Sequence, residues 1–241
     1  MGRSSVTGPS ACPGADYPRG VADIAHGHPD HPAVLRVGLT GGIAAGKSVV
    51  ARRLAELGAA VVDHDVHARA VVGAGSEGLV AVVDAFGPEM LTSDGELDRA
   101  ALGDRVFSDA RARERLNAII HPRVAEAAAR AEAEAVARGC RVVVHDVPLL
   151  VETGQAGHFD ELVVVDAPED LRVQRLVGTR GMTSEQAWAR LAAQADDDDR
   201  LAAATVVLDG SGTVEELVSQ VDALWARWTG IRDDVVPRTV R

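Results

Sequence analysis

The chain has 241 residues, of which 46% are hydrophobic and 3% aromatic, and its formal net charge is −11. An acidic surface repels a phosphate backbone, so a general nucleic-acid binder is excluded. No apolar run reaches membrane-spanning length, the N-terminus lacks a signal-peptide core, and Val6 breaks the myristoylation pattern after Gly2, so a soluble cytoplasmic protein without a membrane partner is expected.

Residues 1–33 are rich in Gly, Pro, Ser, Asp and His without a hydrophobic period, and are expected to be a disordered extension. His26, His28, Asp30 and His31 lie there without a scaffold to fix ligand geometry, and read as solvated. Cys12 and Cys140 lie far apart in sequence, one of them in that extension, and are read as neither a zinc site nor a disulfide framework. The main domain spans 34–229 and begins with an apolar run at 34–39. Further runs follow at 59–62, 141–145, 161–165 and 205–208. They alternate with helical patterns, which predicts βαβ units and a five-stranded parallel sheet flanked by helices. The first crossover helix carries Val49, Val50, Leu54 and Leu57 and stops at Gly58.

About 80 residues separate the second and third runs, too many for one crossover helix. Helical patterns at 66–72, 76–86, 98–107, 110–118 and 122–137 make this stretch (about 66–137) a helical insertion, with Pro122 in the first turn of its last helix. A lid is expected over about 178–200. The last helix, after 213, carries Leu217, Val221, Leu224, Trp225 and Trp228 as core residues, and 230–241 reads as a loose tail.

The chemistry starts at Gly41-Gly42-Ile43-Ala44-Ala45-Gly46-Lys47-Ser48, a full match to the phosphate-binding loop G-x-x-x-x-G-K-[ST] between a strand and a helix. Lys47 is the one lysine in the chain. A compact ammonium reaches between phosphates where a planar guanidinium does not fit. Backbone amides from Gly42 to Val49 would cradle the phosphates of a nucleoside triphosphate, and the Ser48 hydroxyl would bind Mg²⁺. The second strand ends at Asp63-His64-Asp65, where ligands of open α/β sheets bind. One aspartate suits a helix N-cap and the other an attacking hydroxyl. Asp146, at the end of the third run, resembles a Walker-B carboxylate, with Glu152 just beyond it. Arg172, Arg175, Arg180 and Arg190 fall on or beside the lid, and Arg175 and Arg180 are the best candidates to close on a transferring phosphoryl group.

The ordered set resembles the dephospho-coenzyme A kinase family from about Val34 to Trp228. It comprises Leu39-Thr40-Gly41-Gly42-Ile43, Gly46-Lys47-Ser48, Asp63-x-Asp65, Gly95-x-x-Asp98-Arg99, His121-Pro122, Pro148-Leu149-Leu150-x-Glu152 and Gln194. The resemblance implies a P-loop NTPase-type fold with a substrate-binding insertion and a lid. It also implies phosphorylation of the ribose 3′-hydroxyl of dephospho-CoA by ATP, giving CoA and ADP. Asp65 matches the family's proposed base. Asp63, Arg99, His121, Asp146, Pro148 and Leu149 match the acceptor region, and a monomer is expected. The chain departs from the family pattern at Ala44-Ala45, which replace a Gly/Ser pair, and at Val49. It departs again at Thr205, which replaces Asp, and at Gly210, which replaces an Asn that helps seat adenine. Another small-molecule or nucleotide kinase and a non-catalytic ATP-binding relative stay open as alternatives. A GTPase switch lacks the lysine its guanine motif needs.

Overall fold

The computed structural model describes residues 34–230, apart from 149, 152–153 and 195–196. The readings of 1–33 (with Cys12 and the histidine group), of 231–241, and of Leu149 and Glu152 lie outside the described residues. The first unit contributes β1 (Leu35–Gly41), α1 (Lys47–Leu57) and the start of β2 (Ala60–Asp63). A second unit, Val62–Glu134, holds α2 (His64–Ala70), α3 (Glu77–Phe86), α4 (Arg99–Ser108) and most of α5 (Ala110–Ala137). The chain then returns to the first unit with β3 (Val142–Asp146), β4 (Glu161–Asp166), α6 (Glu169–Arg180) and α7 (Ser184–Ala192). It ends with α8 (Asp197–Ala203), β5 (Val206–Asp209) and α9 (Val214–Thr229).

The five strands form one sheet in the order β2-β3-β1-β4-β5, and β1 runs parallel to both β3 and β4. β4 runs parallel to β5. All five expected runs are strands, with ends within two residues of the expected ones. Side chains alternate across a strand, so each strand feeds two cores. Val37 and Leu39 of β1, Val142 and Val144 of β3, and Val163 and Val165 of β4 face α1 and α9, against Val50, Leu54, Leu217, Val221, Leu224, Trp225 and Trp228. Leu162 and Val164 face the other way, against Val147, Leu150, Phe159 and Leu201. The tryptophans are core residues, and Trp228 Nε1 also donates to the Glu161 carboxylate at 3.0 Å. Arg53 ties α1 to α9 through Asp222 at 2.7 Å.

The second unit has its own core of Val72, Leu79, Val82, Met90, Leu97 and Leu102. Here one expectation is corrected. The patterns at 110–118 and 122–137 belong to one helix of 28 residues, with Pro122 in its interior rather than in a first turn. Ile119 and Ile120, at the expected break, pack on this core, and Arg123 Nη1 donates to the Ile119 carbonyl at 2.7 Å. Burial of Ile119 and Ile120 holds the helix through the turn in which Pro122 cannot donate to the Ala118 carbonyl.

Candidate active site

β1 lies between β3 and β4, where the chain order of the sheet reverses, so the crevice beyond its carboxyl end is the expected ligand position. The loop from Gly41 to Gly46 fills that end. Gly46 has φ 121° and precedes α1 without a side-chain cap, which leaves the helix N-terminus uncapped. A Cβ on Gly46 would meet Leu217 Cδ2 at 2.8 Å. Ala44 is left-handed at φ 61°, alone in this among the described non-glycine residues. Within the loop, the Ala45 amide donates to the Gly42 carbonyl at 3.1 Å, the Val49 amide to Gly46 at 2.9 Å, and the Ile43 amide to Gln194 Oε1 at 2.9 Å. The amides of Ala44, Gly46, Lys47 and Ser48 donate to no protein acceptor among the described residues. Successive open amides around a left-handed residue and a helix N-terminus form an anion-binding nest. The expected cradle of Gly42 to Val49 is therefore narrower in this structure, because Ile43, Ala45 and Val49 are already bonded.

Lys47 Nζ pairs with the Asp146 carboxylate at the end of β3. Parallel pairing of β1 with β3, with Leu39 opposite Asp146, brings the two together. Ser48 is exposed at the start of α1. The next strand residue back, His145, is buried against the Phe159 ring at 5.3 Å between centroids, on the face where Val143 alternates with it.

The arginines separate into three situations. Arg172 is 2% exposed and pairs with Asp197, which also pairs with Arg200. Arg175 donates to the carbonyls of Ala44 at 3.2 Å and Gly210 at 2.7 Å, so it clamps the phosphate loop to the β5–α9 turn. Arg180 ends α6 and Arg190 lies on α7, both exposed. Arg175 thus binds main-chain oxygens here, where the sequence reading placed it on phosphate. Helices α6 and α7 pack on the loop itself through Val173, Leu176, Ala187 and Leu191 against Ile43 and Ala44.

The two ends of β5 explain two departures. Thr205 Oγ1 accepts from the Leu162 amide at 2.8 Å and extends the pairing of β4 with β5. Gly210 is fixed by close approach: its amide donates to Asp166 at 2.7 Å, and a Cβ would strike the Ala45 carbonyl oxygen. Gly210→Ala should destabilise the protein by about 1–3 kcal/mol, since neither backbone can yield freely, and should weaken nucleotide binding by displacing Ala45. Denaturant unfolding checks this, and an unchanged midpoint would refute the packing argument. Hydrogen bonds from the Ser211 hydroxyl and from its amide, the latter at 2.8 Å, lower the pKa of the Asp209 carboxyl from its ordinary value. Gln220 brackets Asp209 from α9, accepting its amide at 2.8 Å and donating to its carbonyl at 2.9 Å.

In the second unit, Asp63 is the N-cap of α2, accepting from the amides of Asp65 at 2.8 Å and Val66 at 3.0 Å. Asp65 is exposed in the first turn and carries no capping bond. Asp98 caps α4 through Ala100 at 3.0 Å and Ala101 at 2.9 Å, so it is a cap and not the ion-pair partner of Arg99. Arg99 is exposed at the start of α4, and His121 is exposed within α5. Pro148 is exposed after β3. Sequence reasoning missed the bond of Gln194 to the loop and the burial of Arg172 against Gly42. The burial of Val173 and Leu176 shows the signal that was there, because Arg172 lies on the same helical face.

A family model described as Dephospho-CoA kinase matches residues 35–216. A dephospho-CoA kinase from Cutibacterium acnes is 52% identical over 82% of this chain and 86% of its own length. One from Thermobifida fusca is 50% identical over 80% of this chain and 95% of its own. Among solved structures, a Thermus thermophilus protein superposes with TM-score 0.69 at 32% identity, covering 81% of this chain and 98% of that one. A dephospho-CoA kinase from Campylobacter jejuni shares the fold at TM-score 0.62 and 21% identity, covering 81% and 97%. With its lysine-bearing loop at the centre of the sheet and these relatives along most of its length, the chain belongs to the dephospho-CoA kinase family.

Proposed function

We propose that this enzyme transfers the γ-phosphoryl group of ATP to the ribose 3′-hydroxyl of dephospho-CoA, the last step of coenzyme A biosynthesis. The observation that carries the reading is the lone lysine, set beside four open amides and paired with a carboxylate, in a chain of this family. Lys47 exchanges Asp146 for the β- and γ-phosphates when nucleotide enters, and the amides of Ala44, Gly46, Lys47 and Ser48 bind phosphate oxygens. Asp65 takes the proton of the ribose hydroxyl as its oxygen bonds to phosphorus and the bond to ADP breaks. The insertion at 66–137, with Arg99 and His121, receives the acceptor, together with Asp63 and the segment from Asp146 to Leu149. The lid at 178–200 closes with Arg180 on the transferring group.

The exposed Ser48 hydroxyl and the Asp146 carboxylate are hard oxygen donors of the kind Mg²⁺ takes. Among the described residues no group of three His, Cys, Asp or Glu side chains forms a cage, which fits an ion held by one or two protein oxygens, phosphates and water. When bound, Mg²⁺ neutralises charge on the β- and γ-oxygens. No helix among the described residues is long and apolar enough to cross a membrane. The test is an assay with Mg-ATP and dephospho-CoA that follows ADP and identifies CoA by mass. Equal amounts of CoA and ADP are expected. ATP binding without CoA would overturn the acceptor.

A further inference from the structure

Arg172 is among the largest fully buried side chains, and nothing in the phosphoryl transfer above uses it. It stands on α6 with its guanidinium against Gly42, the second residue of the phosphate loop. A Cβ at Gly42 would overlap Arg172 Nη1 and come within 3.0 Å of Cζ. Asp197, in the first turn of α8, holds the same guanidinium from the other side and also binds Arg200, which is 3% exposed. Glu169, one turn back on α6, is 4.0 Å away and exposed. Three residues before Asp197, Gln194 accepts from the amide of Ile43, next to Gly42. One short segment therefore grips two consecutive residues of the loop, one directly and one through Arg172.

Stability alone is a poor reason for this arrangement. Burying two guanidiniums strips them of water at a cost that their pairing with a partly buried carboxylate need not repay, and apolar replacements of such groups are commonly neutral or stabilising. Arg172 Nε, moreover, is buried with no hydrogen-bond partner among the described residues, so the guanidinium is not optimised as a structural bond. What the position does offer is a fixed positive charge directly beneath a loop that must receive anionic phosphates, and a rigid support for its first half.

We propose that Arg172, oriented by Asp197, is a positioning residue for the nucleotide: it sets Gly42 and supplies buried positive charge under the phosphates. The inference rests on the nucleotide-loop reading. The test compares the full chain with the variant Arg172→Met, Asp197→Leu, Arg200→Met, which removes the ions and keeps the volume. Thermal unfolding and ADP titration are measured for both, with Lys47→Ala as control. The expected result is a folded variant of similar Tm whose ADP affinity is about tenfold weaker, with KM for ATP raised and KM for dephospho-CoA unchanged. Similar Tm with unchanged ADP affinity would overturn the inference alone. Wild-type protein that fails to bind ADP would take down the loop reading and this inference with it. Should the triple variant not fold, Arg172→Lys serves. Lysine keeps the charge but lacks the fork that spans Gly42 and Asp197. A loss of ADP affinity of about threefold or more at unchanged Tm supports the assignment, and an unchanged affinity refutes it.

Discussion

Lys47→Ala should reduce kcat/KM for ATP by about 10²–10³-fold or more, the scale seen when a group that stabilises transition-state charge is removed. Among the described residues, the ammonium stands beside the loop paired with a carboxylate that phosphate can replace. Arg172 and Arg175 are already committed, one to Asp197 and the other to main-chain oxygens. Nothing else at the loop can take over the γ-phosphate, so the loss falls on binding and turnover together. Lys47→Arg should fare little better, because its fork needs more width than a point charge. Asp146 also loses a partner in the alanine variant, so Tm must be measured beside the rate. A folded Lys47→Ala enzyme that keeps wild-type kcat/KM would remove lysine from the mechanism.

The strands were legible because a sheet covered on both faces needs nearly continuous apolar runs, and 161–165 and 141–145 have them. The phosphate loop was legible because its geometry demands glycine at Gly46 and a lysine after it. The break expected before Pro122 failed for the opposite reason: proline is a strong local signal, yet Ile119 and Ile120 are held by a distant core that no local pattern shows. Asp63 and Asp65 offered a cap and a reactive carboxylate in sequence without saying which was which, and the backbone at the start of α2 made Asp63 the cap. The arginines of α6 were harder still. Arg172 and Arg175 differ in their roles because one meets Asp197 and the other the Gly210 turn, residues 25 and 35 positions away in the chain.

That division between the two aspartates leads to the second large effect. Asp65→Asn should lower kcat by about 10²–10⁴-fold while leaving ADP affinity within about twofold of wild type. Asparagine keeps the size of the side chain and can still hydrogen-bond a ribose hydroxyl, but it cannot accept the proton as the oxygen attacks. The cap of α2 is untouched, because Asp63 makes both bonds to the amides of Asp65 and Val66. Asp63→Asn is the matched control. Asparagine caps about as well as aspartate, so its effect on Tm should be small. Its effect on kcat tells whether that carboxylate also reaches the acceptor. A large loss at Asp65 with a small one at Asp63 separates the base from the cap. Equal losses would mean that both carboxylates serve the acceptor. A near wild-type rate for Asp65→Asn would mean that the proton leaves by another route, and that positioning by Lys47 and the loop amides carries the catalysis without a base at this aspartate.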